Sequence, residues 1–111
     1  PTMIFDEVDS GVGGAVAEMV GRHLHELGER RQVLCVTHLA HVAGLADNHF
    51  RVMKITDGNS TRIAINNLND SERIEELARM LGGMKITKKT RDHAAEMLGN
   101  SRRPQKTSKA G

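Results

Sequence analysis

Two short, mainly apolar runs, Thr2–Phe5 and Gln32–Val36, each stop abruptly at polar side chains, and the stretch between them is apolar at helical spacing. The first run ends at Asp6-Glu7 and the second at Thr37-His38. After a glycine-bearing turn from Ser10 to Gly14, apolar residues recur at Val16, Met19, Val20, Leu24 and Leu27, one face of a helix, and Gly28 is a natural stop. Strand, helix and strand make a βαβ unit. Such units have parallel strands and right-handed crossovers, so both polar ends are expected at the same edge of one sheet. That carboxyl edge is where open α/β sheets bind ligands.

Downstream, a short helical stretch spans Leu39 to Leu45, and two β-rich runs, Phe50–Thr56 and Thr61–Leu68, flank Asp57-Gly58-Asn59, a strong hairpin signal. Asn69 followed by Glu72 can form a capping box, with Ile74, Leu77, Ala78 and Leu81 on one face before Gly82-Gly83. A last helix is expected over Lys88–Leu98, with Ala94, Met97 and Leu98 inward. The fold class is therefore α/β: a parallel βαβ core, a β-hairpin and C-terminal helices.

A chain of 111 residues suits one domain, but with two Phe, no Trp or Tyr and 38% apolar residues its core would be thin. We therefore expect a piece of something larger. The formal charge is +2, yet Arg102, Arg103, Lys106 and Lys109 fall in the last ten residues, where there is no acid, and the rest is net negative. Residues 1–99 read as the folded unit and 100–111 as a basic, disordered tail, more a solvated extension than a dedicated DNA-binding arm. The lone Cys35, flanked by Val33, Leu34 and Val36, cannot form an intrachain disulfide and suggests a buried strand position. No run approaches the length of a membrane span and no signal peptide is evident, so no membrane partner and a cytoplasmic location are expected.

An apolar strand ending in two acids is the arrangement of a Walker B motif, in which one carboxylate holds Mg²⁺ and its neighbour orients the attacking water. Taken alone the pattern is equally a strand that happens to end in acids. Similarly, His38 at a strand end could donate a hydrogen bond to phosphate, while on spacing alone a structural histidine is the commoner reading.

Three segments together decide between these readings: Ile4-Phe5-Asp6-Glu7-Val8-Asp9-Ser10-Gly11-Val12-Gly13-Gly14, then Val36-Thr37-His38-Leu39, then Glu76-Leu77-Ala78-Arg79-Met80-Leu81-Gly82-Gly83. In this order and spacing they closely resemble the C-terminal part of the RecN family, in the SMC-like branch of the ABC ATPases, over about residues 1–99. The resemblance implies the C-terminal lobe of a P-loop ATPase head acting with ATP and Mg²⁺ in DNA double-strand-break repair and recombination, at the bacterial nucleoid. It makes Asp6 the Mg²⁺ residue, Glu7 the catalytic carboxylate and His38 the switch histidine that senses the γ-phosphate. Asp9–Gly14 would be the D-loop reaching a second head of a homodimer, and Ser10, Gly11, Gly13 and Gly14 are its candidate nucleotide-site residues.

The Walker A string Gly-x-x-x-x-Gly-Lys-Ser/Thr is absent from these residues, as is the signature segment. The resemblance places both upstream, with coiled-coil arms, so the Walker A lobe is an expected partner and DNA is engaged through the complete protein. Leu39-Ala40-His41 departs from the family's Leu-Pro-Gln, which leaves His38 matched and His41 without a carried-over role, expected simply to be exposed. The six histidines suggest zinc only weakly, because His23 and His25 point to different sides of a helix. The alternatives are a nonenzymatic DNA-bridging scaffold, or a lobe of another SMC-like or ABC ATPase.

Overall fold

In the computed structural model, which describes residues 2–6, 11, 13–82 and 85–101, the chain runs β1 (Thr2–Asp6), α1 (Gly14–Gly28), β2 (Gln32–Val36), α2 (Ala40–Ala43), β3 (Phe50–Asp57), β4 (Ser60–Asn67), α3 (Asp70–Gly82) and α4 (Lys88–Ser101). Glu7 to Ser10, Val12, Gly83 and the basic tail from residue 102 lie outside the described residues. Strands β1 and β2 pair in parallel, with Thr2 opposite Gln32 and Asp6 opposite Val36. This is the expected βαβ unit, and it brings both polar strand ends to one edge. Strands β3 and β4 form a separate antiparallel hairpin from Phe50↔Asn67 to Asp57↔Ser60, so the loop is the pair Gly58-Asn59.

Helix α3 begins with the reciprocal capping box read from the sequence: the Glu72 amide donates to Asn69 Oδ1 at 2.8 Å, and the Asn69 amide donates to Glu72 Oε1 at 2.9 Å. Two otherwise orphaned amides are satisfied, a device that stabilises a helix start by about 1 kcal/mol. Helix α1 ends differently from the expectation of a glycine stop. Gly28 is its last helical residue and right-handed Glu29 is the cap, with its amide donating to the Glu26 carbonyl at 3.2 Å. The last turn tightens instead of reversing.

The core lies among α2, α3 and α4: Ala40, Ala43, Leu77, Ala78, Ala94 and Leu98 are buried, with Ile74, Met80, Leu81, Ile86 and Met97 packed around them. Alanines dominate because α2 is short and lies close to its neighbours. Helix α1 joins through Ala17 and Gly21, both buried, and an added Cβ on Gly21 would stand 2.7 Å from Leu45 Cδ1 and 3.3 Å from Val42 Cα. Only a residue without a side chain lets α1 and α2 approach this closely.

Burial is where the sequence reading needs correction. The apolar run Thr2–Phe5 and the setting of Cys35 call for buried strands, yet Ile4 is 70% exposed and Leu34 and Val36 are exposed on the same face. Met3, Phe5, Val33 and Cys35, on the opposite face, are half-buried. Alternation of this kind is the signature of a sheet covered on one side only. Likewise, the α1 stripe splits: Val20 and Leu24 are partly covered, whereas Val16, Met19 and Leu27 are exposed. The hairpin presents Phe50, Val52, Ile63 and Ile65 on one open face. Apolar spacing specifies which side chains seek cover, and whether cover exists depends on what else packs there.

Candidate functional site

The β1–β2 register decides the geometry of the edge. Asp6 closes β1 opposite Val36, and Thr37 and His38 follow immediately on the neighbouring strand. Asp6 and His38 are both exposed there. Thr37 shapes the exit from β2, its Oγ1 accepting from the Leu39 amide at 3.0 Å. The Leu39 carbonyl then accepts from the Val42 and Ala43 amides, each at 3.1 Å, so α2 starts two residues after the histidine.

Of the other sequence-derived site residues, Glu7 and Ser10 lie outside the described residues, as does Asp9. Gly11 has φ +78°, a left-handed conformation that glycine adopts without a Cβ penalty. Gly13 caps α1 in extended backbone with no side-chain cap, and no acid sits in the first turn of the helix. Gly14 is the first helical residue and abuts His41: an added Cβ would lie 3.3 Å from the imidazole Cε1. His41 is thus half-buried against the start of α1, contrary to the expectation that it is simply exposed. The start of α1 and α2, the helix that follows His38, therefore touch.

A carboxylate at an open strand end suits Mg²⁺, which binds through one or two carboxylates and keeps the rest of its shell for water and phosphate oxygens. Asp6 supplies such an oxygen donor, exposed at the carboxyl edge. Among the described residues no three His, Cys, Asp or Glu side chains stand close enough together to hold a metal. His23 is exposed, while His25 turns inward and its Nδ1 lies 3.0 Å from the Leu45 carbonyl.

Sequence reasoning missed a buried polar group on α3. Arg73 and Glu76 are buried on α3, although charges are ordinarily assigned to the solvent face. The available signal was spacing: Arg73 precedes Leu77 by four residues and so shares its stripe. Arg79 Nε donates to Glu76 Oε1 at 2.9 Å, and Arg51 Nη1 of β3 stands 3.8 Å from the same oxygen. The Arg79 hydrogen bond chiefly holds the Glu76 carboxyl below its ordinary range, against burial, with the charges of Arg79, Arg51 and His49 adding to the effect. His49 is held below its ordinary value by burial and then by Arg73, with Glu76 opposing.

Both shifts carry the same sign. A group whose folded pKa is depressed contributes stability that is complete above its unfolded value and is lost as pH falls through the folded one. Melting temperature is therefore expected to fall on acidification in two stages, first below the ordinary histidine range and then below the ordinary carboxylate range. Arg79→Ala should flatten the second stage alone, and circular dichroism melts across pH check it. A second stage as steep in Arg79→Ala as in the parent would refute the assignment.

The chain matches no protein-family model. It is 53% identical over 98 residues to "DNA repair protein RecN" of Xylella fastidiosa strain 9a5c and 49% identical over 98 residues to the RecN of Haemophilus influenzae, in each case 88% of this chain and 18% of the relative. The Bacillus subtilis RecN is 39% identical over 97 residues. The chain thus spans about a fifth of the length of the curated relatives it matches. Among solved structures it resembles, at TM-score 0.57 and 15% identity, a chain described under "Structural biochemistry of ATP-driven dimerization and DNA stimulated activation of SMC ATPases", covering 77% of this chain and 50% of that one. At that identity the likeness speaks for the fold, which is the expected mixed α/β arrangement.

Proposed function

The chain belongs to the RecN family, where it corresponds to the C-terminal part, and we propose that it supplies the Walker B, D-loop and switch-histidine portion of an ATPase head acting in DNA repair and recombination. The observation that carries this reading is the shared edge: the parallel register brings the Asp6 and His38 strand ends together. In a nucleotide-loaded head Asp6 would hold Mg²⁺ through its carboxylate. Glu7, the next residue, would orient the attacking water and accept its proton. His38 would donate a hydrogen bond to the terminal phosphate. The bound ion neutralises phosphate charge during transfer.

The bare apolar faces support an upstream lobe as partner. Ile4, Leu34 and Val36 on the sheet, Val16 and Met19 on α1, and Phe50, Val52, Ile63 and Ile65 on the hairpin are more exposed apolar side chains than a monomer of this size ordinarily leaves uncovered. The missing Walker A segment would come from that lobe. Asp9–Gly14 would face a second head in a homodimer, and DNA would be engaged by the complete protein. Among the described residues no helix is long and apolar enough to cross a membrane; the family resemblance is what proposes a place in the cytoplasm, at the nucleoid.

The test follows from the division of labour. Calorimetric titration of this chain alone with ATP and Mg²⁺ should give no binding in the micromolar range, while the complete protein binds and hydrolyses ATP. Micromolar binding by the chain alone, or a complete protein without Mg²⁺-dependent hydrolysis, would overturn the reading.

A further inference from the structure

A charged side chain buried as deeply as Arg73 is costly to keep unless its geometry is used. Arg73 is 2% exposed, and its guanidinium reaches across 26 to 30 residues of sequence. Nη2 donates to the carbonyls of Ala43 at 3.2 Å and Ala46 at 2.9 Å, and Nη1 points to that of Asp47 at 3.5 Å. These carbonyls belong to the end of α2 and the bend after it. A helix of four residues cannot hold itself in place. A cation at its carboxyl end favours it electrostatically, and a planar fork meets several carbonyls where an ammonium is a single point.

What α2 holds in turn is the switch segment. The Ala43 amide donates to the Leu39 carbonyl at 3.1 Å, and the Leu39 amide donates to Thr37 Oγ1 at 3.0 Å, with His38 between them. Helix α1 also packs closely on α2, at Gly21 beside Val42. We propose that Arg73 is a positioning residue for His38: clamping α2 from α3, it sets where the Thr37–His38–Leu39 turn presents the imidazole at the carboxyl edge. This rests on the ATPase reading above and adds to it a residue that touches neither nucleotide nor metal.

A double-mutant cycle in the complete protein tests it. Arg73→Met keeps the apolar stem and removes every donor; turnover of bound ATP should fall about tenfold or more, since small misplacements in a reacting site are that costly, with ATP affinity within about twofold of the parent. In a His38→Ala background the same substitution should lower turnover no further, because the group it positions is gone. A merely structural role would lower the melting temperature and multiply with His38→Ala. Arg73→Lys, which keeps the charge on a single nitrogen without the planar fork, should show an intermediate loss, and it carries the same cycle if Arg73→Met does not fold. Multiplying effects, or parental turnover in the Arg73 variants beside a slow His38→Ala, would overturn the Arg73 proposal alone. Parental turnover in His38→Ala would overturn the reading of the edge itself, and the proposal with it.

Discussion

Glu7→Gln in the complete protein is expected to lower single-turnover ATP hydrolysis by about 10²- to 10⁴-fold, the usual contribution of a positioned general base, while ATP stays bound and two heads stay together. The effect is one of differential binding. On the proposed reading Glu7 acts on the attacking water, a contact that matters mainly in the transition state, so its loss depresses turnover more than affinity. Asp6→Asn should behave differently: it removes charge from the residue proposed to hold the metal, so the Mg²⁺ concentration needed for half-maximal activity rises. Comparing the two variants under single-turnover conditions, with light scattering to follow head pairing, separates the adjacent acids by role. Hydrolysis at the parental rate by Glu7→Gln would remove the Walker B assignment from this strand end. A DNA-bridging scaffold in which the edge only governs association would then be the better account.

Leu77→Ala is the second substitution with a large expected effect, on stability. Leu77 has no exposed surface and sits in the alanine-rich cluster between α2 and α4. Small neighbours are already at close approach and have little side chain with which to fill a void, so relaxation will be partial. Deleting a buried leucine's branched end in such a site costs about 2–5 kcal/mol from lost transfer energy and the residual cavity. Hydrogen exchange reads this locally: amides of α3 and α4 should lose protection by a factor of about 30 to several thousand. An α3 as well protected as in the parent would show that the helices are held by something other than this core.

The geometry of the candidate edge was legible in sequence because an apolar run meeting Asp6-Glu7 or Thr37-His38 marks the end of a strand, and parallel pairing sets the two ends side by side. The capping box at Asn69 and Glu72 and the hairpin turning at Asp57-Gly58-Asn59 were legible for a similar reason, although Asp57 proves to close β3: local hydrogen bonding and backbone preference act within a few residues. Arg73 and Glu76 were not legible. A charged residue on an amphipathic helix has the same local signature whether it faces water or buried partners, and the carbonyls that Arg73 meets come from the end of α2 and the bend after it, 26 to 30 residues away. His41 shows the same limit, since its cover against Gly14 depends on the packing of α1 on α2.

By itself the sequence determined the order of elements, the parallel pairing that brings Asp6 and His38 to one edge, and the kinship with RecN, because each rests on periodicity, local hydrogen bonding or a string of residues read in order. Only the tertiary structure decided which apolar faces are covered and which charged side chains are buried. Periodicity says which way Ile4, Val16 and Val52 face on their elements, but exposure depends on what stands opposite, and among the described residues they stay largely exposed. The clamp on α2 was decided at that level too, for a guanidinium finds its carbonyls only after α3 has folded back across the chain.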